Sequence, residues 1–179
     1  MSDPTVPVWW DGRWIQAPVA GMGGEALVVP NIAALVLREG TGDLLLQRRD
    51  KPEVVRGLLE IPTGRWRAGE TPWEALSREV AEETGLTVRS MTGEGRCLEV
   101  HPGRPVRALQ PAAVVVGSSG AYPALLVAFT CLADGDPRPL PGETADPRWC
   151  PLDEVRARLA DPAQFTATAY AVLVAWMGI

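Results

Sequence analysis

The stretch from Gly64 to Leu86 reads GRWRAGETPWEALSREVAEETGL and carries five glutamates, three of them crowded into Glu79, Glu82 and Glu83. Its start and stop signals agree on a helix from Pro72 to Thr84. Thr71 can act as N-cap, Pro72 stands at the first helical position where its missing N–H costs nothing, and Glu74 completes a T-x-x-E capping box. Gly85 is placed to end the helix in the left-handed conformation. At about 100° per residue, Glu82 and Glu83 fall near −60° and +40° from Glu79, so three carboxylates share an arc of about 100°. Leu76, Val80 and Trp73 form a neighbouring apolar stripe that can seat the helix on a sheet. Like charges at this spacing destabilise an isolated helix by roughly 0.2–0.5 kcal/mol per pair. Either water solvates the acidic face, or a bound cation offsets the repulsion.

Outward from this helix, the runs EALVVPNIAALVLREG and DLLLQRR read as strands joined by EGTGD, whose Gly40 and Gly42 suit a hairpin. LLEIPTG is a brief extended piece leading into the helix loop. Downstream, TGEGRCLEVHP, ALLVAFTCLA and PRWCPL read as strands, VRALQPAAVVVGSSGAYP has no clear assignment, and PLDEVRARLADP and TATAYAVLVAWMGI read as closing helices. Strands and helices mix without regular βαβ alternation, which predicts an α+β fold with a mixed sheet between helices, an α/β/α sandwich. Residues 1–24, rich in Trp, Pro and Gly, form a separate arm that can make a short strand or flap, and residues 25–179 form the domain.

With 179 residues, 46% of them apolar and 22% charged, the chain is an ordinary globular domain rather than a disordered one. A net charge of −5 argues against a nucleic-acid polymer as partner. Cys97, Cys131 and Cys150 lie far apart and cannot all pair within one chain, which fits a reducing compartment. No secretory leader and no membrane span is indicated, so the cytoplasm is the expected location. The Trp-rich arm offers more apolar surface than a monomer readily hides, which makes a homodimer a reasonable assembly.

Clustered carboxylates are what hard divalent cations such as Mg²⁺ and Mn²⁺ require, and Mg²⁺ characteristically adds substrate phosphates to its coordination sphere. From Gly64 the sequence fits G-x5-E-x7-R-E-U-x-E-E-x-G-U, with U a bulky aliphatic residue, at Gly64, Glu70, Arg78, Glu79, Val80, Glu82, Glu83, Gly85 and Leu86. The chance of such a match at a given start is on the order of one in a billion. On these residues the chain resembles the Nudix hydrolases, and the flanks LEIPTGRWRAGE and GETADPRWCPLDEV are similar to segments around the family's signature.

The resemblance implies the Nudix fold and hydrolysis of a nucleoside diphosphate linked to another moiety, with Mg²⁺ or Mn²⁺ assisting attack by water on phosphorus. It assigns the metal to Glu79, Glu82 and Glu83, with support from Glu70 and the backbone near Gly64. Arg78 is expected to orient a carboxylate through a bidentate pair. Glu79 is the first choice of general base, and Glu143, on a distant loop, is the alternative. The small-molecule substrate is expected to resemble ADP-ribose, because LEIPTG looks like the segment that introduces the signature in ADP-ribose pyrophosphatases, and Pro102 lies near a proline of that subfamily. Nucleoside triphosphates, or nucleotide sensing without turnover, are the alternatives. Arg48, Arg49, Arg56 and Arg104 are candidates to meet phosphate or ribose, and Pro102 is a further candidate substrate contact. For His101 a surface or structural role is the simpler reading, and for Phe129, Tyr122 and the tryptophans core packing is preferred over stacking on a base.

Overall fold

The computed structural model describes residues 5–10, 13–18, 28–50, 53–117 and 123–179. Tyr122 and parts of the N-terminal arm, including the side chains of Trp9 and Trp10, lie outside the described residues. Within the arm, strands β1 (Thr5–Trp10) and β2 (Arg13–Pro18) pair antiparallel with Trp9 opposite Trp14, making a two-stranded sheet of their own.

The apolar runs become the strands of the main sheet, β3 (Val29–Arg38), β4 (Leu44–Arg49), β5 (Leu59–Glu60) and β6 (Thr63–Arg65). Helix α1 follows at Pro72–Thr84, the span that its sequence signals predict, with the capping box formed in both directions and Gly85 at φ 69° closing it. Then come β7 (Thr87–Thr92), β8 (Arg96–His101), β9 (Arg104–Ala108), β10 (Ala113–Gly117), β11 (Ala124–Asp134) and β12 (Thr144–Cys150). Helices α2 (Leu152–Arg158) and α3 (Ala167–Met177) complete the chain. The segment without a clear sequence assignment thus supplies the end of β9 and all of β10, and β8 and β9 form an exposed ribbon.

The sheet runs β10–β11–β3–β4–β12, with β5 on β4, β6 on β3 and β7 on β11. β11 runs parallel to β3, from Ala124 opposite Val29 to Ala133 opposite Arg38, and its pairings with β10 and β7 are antiparallel. Alternation along the strands divides the core into two layers. Leu44 and Leu46 pack with Val155, Val172 and Leu173 of α2 and α3, whereas Leu45 packs with Leu76 and Val80 of α1. The expected α/β/α sandwich around a mixed sheet is therefore the observed architecture. Among the described residues no helix is long and apolar enough to cross a membrane.

One detail of the sheet positions the site. β3 pairs with β6 at Asn31–Ala33 but with β4 only at Leu37, so the sheet forks between β4 and β6. The C-terminal half of α1 lays its acidic side chains over that fork.

Candidate active site

The capping box and the buried Leu76 and Val80 fix the rotation of α1, and that rotation decides where each glutamate goes. Glu79 and Glu83 turn toward the sheet and are buried, while the side chain of Glu82 keeps 47% of its surface exposed. The single acidic face of an ideal helical projection is thus split into two buried carboxylates and one at the rim.

Glu83 enters the fork. Its Oε2 accepts hydrogen bonds from Gln47 Nε2 on β4 at 2.7 Å and from the Thr63 amide on β6 at 3.2 Å. Gln47 is fully buried and also reaches Glu60 Oε1 at 3.5 Å. Burial, reinforced by the charges of Glu60 and Glu79, pushes the Glu83 carboxyl up to about 8. Glu60 is likewise raised by burial, against the opposing effect of Arg49, which lies 3.3 Å away.

Arg78 organises the other carboxylates. Its Nε and Nη2 donate to the two oxygens of Glu70 at 2.6 and 3.0 Å, its Nη1 donates to Glu79 and to Glu82 at 3.3 Å, and Nη2 also reaches the Arg65 carbonyl at 3.0 Å. The fork-to-fork pair with Glu70 is the geometry in which a guanidinium fixes a carboxylate most firmly. Burial pushes Glu70 upward, but the bonds from Arg78 and the Arg67 amide outweigh it and hold the carboxyl below the ordinary range. Glu79 is raised by burial despite its contact with Arg78. Glu79 also lies against the backbone of Gly64, where a Cβ would come within 2.0 Å of its carboxyl carbon.

These groups border a cavity of about 730 Å³ whose lining residues include five glutamates and three arginines. Glu60, Glu79, Glu82, Glu83 and Glu143 supply the acid, and Arg49, Arg65 and Arg67 the base. Glu143 reaches the cavity from the loop before β12, although it is far from α1 in sequence. Of the five expected substrate contacts only Arg49 lines the cavity, and Arg104 starts the exposed strand β9. Arg48, one residue away on the strand, points to the opposite face and bonds the Gly57 carbonyl at 2.6 Å. Arg56 pairs with Asp50 at 3.0 Å, and Pro102 sits in the exposed turn of the β8–β9 ribbon. Phe129 is fully buried in the core. Sequence reasoning overlooked Gln47, Glu60, Arg65 and Arg67; the period-two alternation that joins Gln47 to Arg49, and the adjacency of Glu60 to the PTG turn, were the signals available.

The donor set suits a hard divalent ion. Its members are carboxylates, two of them raised by burial and mutual repulsion, and such groups ionise readily only when positive charge arrives. Among the described residues no three acidic, imidazole or thiol side chains converge on one point as they stand. Arg78 instead gathers Glu70, Glu79 and Glu82 about itself.

A family model described as "NUDIX domain" matches residues 28–171. Among curated relatives, a putative 8-oxo-dGTP diphosphatase 2 of Mycobacterium tuberculosis is 40% identical over 60 residues, 34% of this chain and 41% of the relative. An ADP-ribose pyrophosphatase of Bacillus subtilis is 29% identical over 68 residues, 38% of this chain and 37% of the relative. The chain therefore spans well under half the length of these curated relatives. Among solved structures, the MutT protein of Methanosarcina mazei Go1 superposes with a TM-score of 0.60 at 19% identity, covering 84% of this chain and 94% of that one. The NUDIX domain of Shewanella oneidensis NrtR, solved with ADP ribose, gives 0.60 at 15% identity, covering 88% of this chain and 92% of that one.

Proposed function

The chain belongs to the NUDIX family, and from that premise we propose that it is a hydrolase that uses Mg²⁺ or Mn²⁺ to cleave a diphosphate linkage in a nucleoside diphosphate derivative. The observation that carries this reading is the burial of Glu79 and Glu83 at 9% and 6% exposure in one cavity with Glu82 and Glu143. A purely structural helix has no reason to bury two carboxylates beside two others.

In this reading Glu79, Glu82 and Glu83, supported by Glu70 and the backbone near Gly64, hold the ion. When bound, it neutralises charge developing on the phosphoryl oxygens and acidifies water. The chain's own residues do the rest. Arg78 orients Glu70 and Glu79, and Gln47 with the Thr63 amide fixes Glu83. Arg49, Arg65 and Arg67 offer positive charge to the diphosphate at the wall. Glu79 takes the proton from the attacking water, with Glu143 the alternative base on the facing loop.

For the substrate, the LEIPTG resemblance supports an ADP-ribose-like molecule; Pro102, off the cavity, adds nothing to it. The relatives named 8-oxo-dGTP diphosphatase, 40% identical over 60 residues in Mycobacterium tuberculosis, support a nucleoside triphosphate as the second reading. Nucleotide sensing without turnover is the third reading. Three cysteines without disulfides agree with a cytoplasmic setting.

The test is product analysis with Mg²⁺ on ADP-ribose and 8-oxo-dGTP, comparing the chain with Glu83→Gln. AMP from ADP-ribose supports the first reading, and pyrophosphate from the triphosphate supports the second. Binding of ADP-ribose with no products, unchanged by Glu83→Gln, would leave only the sensor.

A further inference from the structure

The last carbonyls of an α-helix have no amide in a following turn to bond, so a buried helix end must find them partners elsewhere. In α1 the Gly85 amide closes on the Ala81 carbonyl at 3.0 Å. Glu83 and Thr84 turn instead to the chain between β11 and the start of β12. The Arg138 amide donates to the Thr84 carbonyl at 2.8 Å, and the Thr144 hydroxyl donates to the Glu83 carbonyl at 2.9 Å. The end of α1 is thus capped by the segment that carries Glu143.

Thr144 is only 2% exposed, and its hydroxyl is engaged on both sides. Its single proton goes to Glu83, while its oxygen accepts the Leu140 amide at 3.1 Å. The Leu140 carbonyl in turn accepts the amides of Glu143 and Thr144, both at 3.1 Å, which closes a turn over residues 140–144 with Gly142 at φ 82°. The Asp50 amide, just after β4, donates to the Glu143 carbonyl at 3.1 Å. The backbone of Glu143 is therefore held from two directions, and one hydroxyl joins its turn to the backbone of Glu83. Both glutamates line the cavity, whereas Thr144 is not among the lining residues.

We propose that Thr144 is a positioning residue for hydrolysis: it fastens the turn bearing Glu143 to the end of α1 bearing Glu83, so that the two carboxylates meet the substrate at a fixed separation. This rests on the reading that the cavity hydrolyses a diphosphate linkage. The hydroxyl acts through the backbone and touches no reacting atom, so its loss misplaces Glu143 without removing a charge. A valine side chain has nearly the shape of threonine but would leave the Leu140 amide and the Glu83 carbonyl without this partner, whereas a serine side chain keeps the hydroxyl.

The test is a double-mutant cycle on the full chain, with Mg²⁺ and with ADP-ribose and 8-oxo-dGTP as substrates, well below the melting temperature of every variant. Thr144→Val is expected to lower kcat about tenfold or more with KM within about threefold, and Thr144→Ser to recover most of the loss. Glu143→Gln should also lower kcat, and Thr144→Val should add less than about threefold on top of it, because a turn that no longer bears the carboxylate has nothing to misplace. Amide hydrogen exchange gives a readout without turnover: residues 138–144 should exchange faster in Thr144→Val and not in Thr144→Ser. The proposal is overturned if Thr144→Val or Glu143→Gln keeps the wild-type kcat, if Thr144→Ser is no better than Thr144→Val, if the losses from Thr144→Val and Glu143→Gln multiply in full, or if exchange in the turn is unchanged. A wild type that releases no product from either substrate overturns the hydrolase reading itself, a failure distinct from an active enzyme that is indifferent to Thr144→Val.

Discussion

The carboxylate of Glu79 occupies the space in which a side chain on Gly64 would begin, with its Cδ 2.0 Å from where a Cβ would stand. Arg78 grips that carboxylate from the other side, so it has little room to retreat. Gly64→Ala should displace Glu79 while leaving both core layers untouched. A displacement of about 1 Å at a reacting group can cost roughly a hundredfold in rate. We expect kcat to fall by about that factor with Mg²⁺ affinity weakened and the melting temperature nearly unchanged, measured by steady-state kinetics, calorimetry and thermal denaturation.

Arg78→Lys keeps the charge but removes the fork that holds both oxygens of Glu70. A lysine is a point charge and cannot reproduce two parallel bonds. Loss of an orienting partner of this type lowers activity or metal affinity by about 10–100-fold. Activity titrated against Mg²⁺ concentration checks it; a lysine variant with wild-type kcat and metal dependence would contradict the orienting role.

Glu83 titrates near 8 in the folded chain and at an ordinary 4.5 when unfolded. A raised folded value means that its contribution to stability is fully present below about 4.5 and is lost as pH rises through about 8. Glu70 is shifted downward, so its effect falls below pH 4.5 and does not overlap this window. In chelator, the melting temperature should therefore decline between pH 5 and 8, with Glu60 and Glu79, also raised by burial, acting in the same direction; Glu83→Gln should make the decline shallower, and Mg²⁺ at neutral pH should release protons on binding. Thermal scans across pH and calorimetry in buffers of different ionisation enthalpy read the two effects.

Thr71 caps α1 by accepting the Glu74 amide at 3.2 Å, while Glu74 accepts the Thr71 amide at 2.8 Å. Thr71→Ala removes one half of this exchange. The expected cost is about 1 kcal/mol, a drop of about 2–4 °C in melting temperature for a chain of this size. Turnover well below the transition should survive, because neither Thr71 nor Glu74 is among the residues that line the cavity.

The features that could be read from the sequence were those encoded by neighbours along the chain. The limits of α1 followed from Thr71, Pro72, Glu74 and Gly85 because capping is a contact over three or four residues. β3, β4 and β11 followed from apolar runs too dense for loops. The parallel pairing of β11 with β3 was hidden, since it joins segments that only the folded core brings together. The same holds for Glu83 and Gln47, 36 positions apart, and for Arg65 and Pro7, 58 apart. The assignment of Arg48 and Arg49 to one role overlooked the alternation of a strand, which sends adjacent side chains to opposite faces. The clustered Glu79, Glu82 and Glu83 of α1 were correctly seen to adjoin its apolar stripe, but how deeply each is buried depends on the fork beneath them, which no local pattern announces.

Arg78 carries its own consequence. Because a guanidinium already satisfies Glu70 and Glu79, the helix can be completed during synthesis without waiting for any ion from solution. Under the proposed function, loading an ion is then an exchange of partners inside a finished molecule rather than a step of its assembly. On the proposed function, a cell starved of divalent ions would hold this protein idle, folded and ready, and restoring the ion would be enough to wake it.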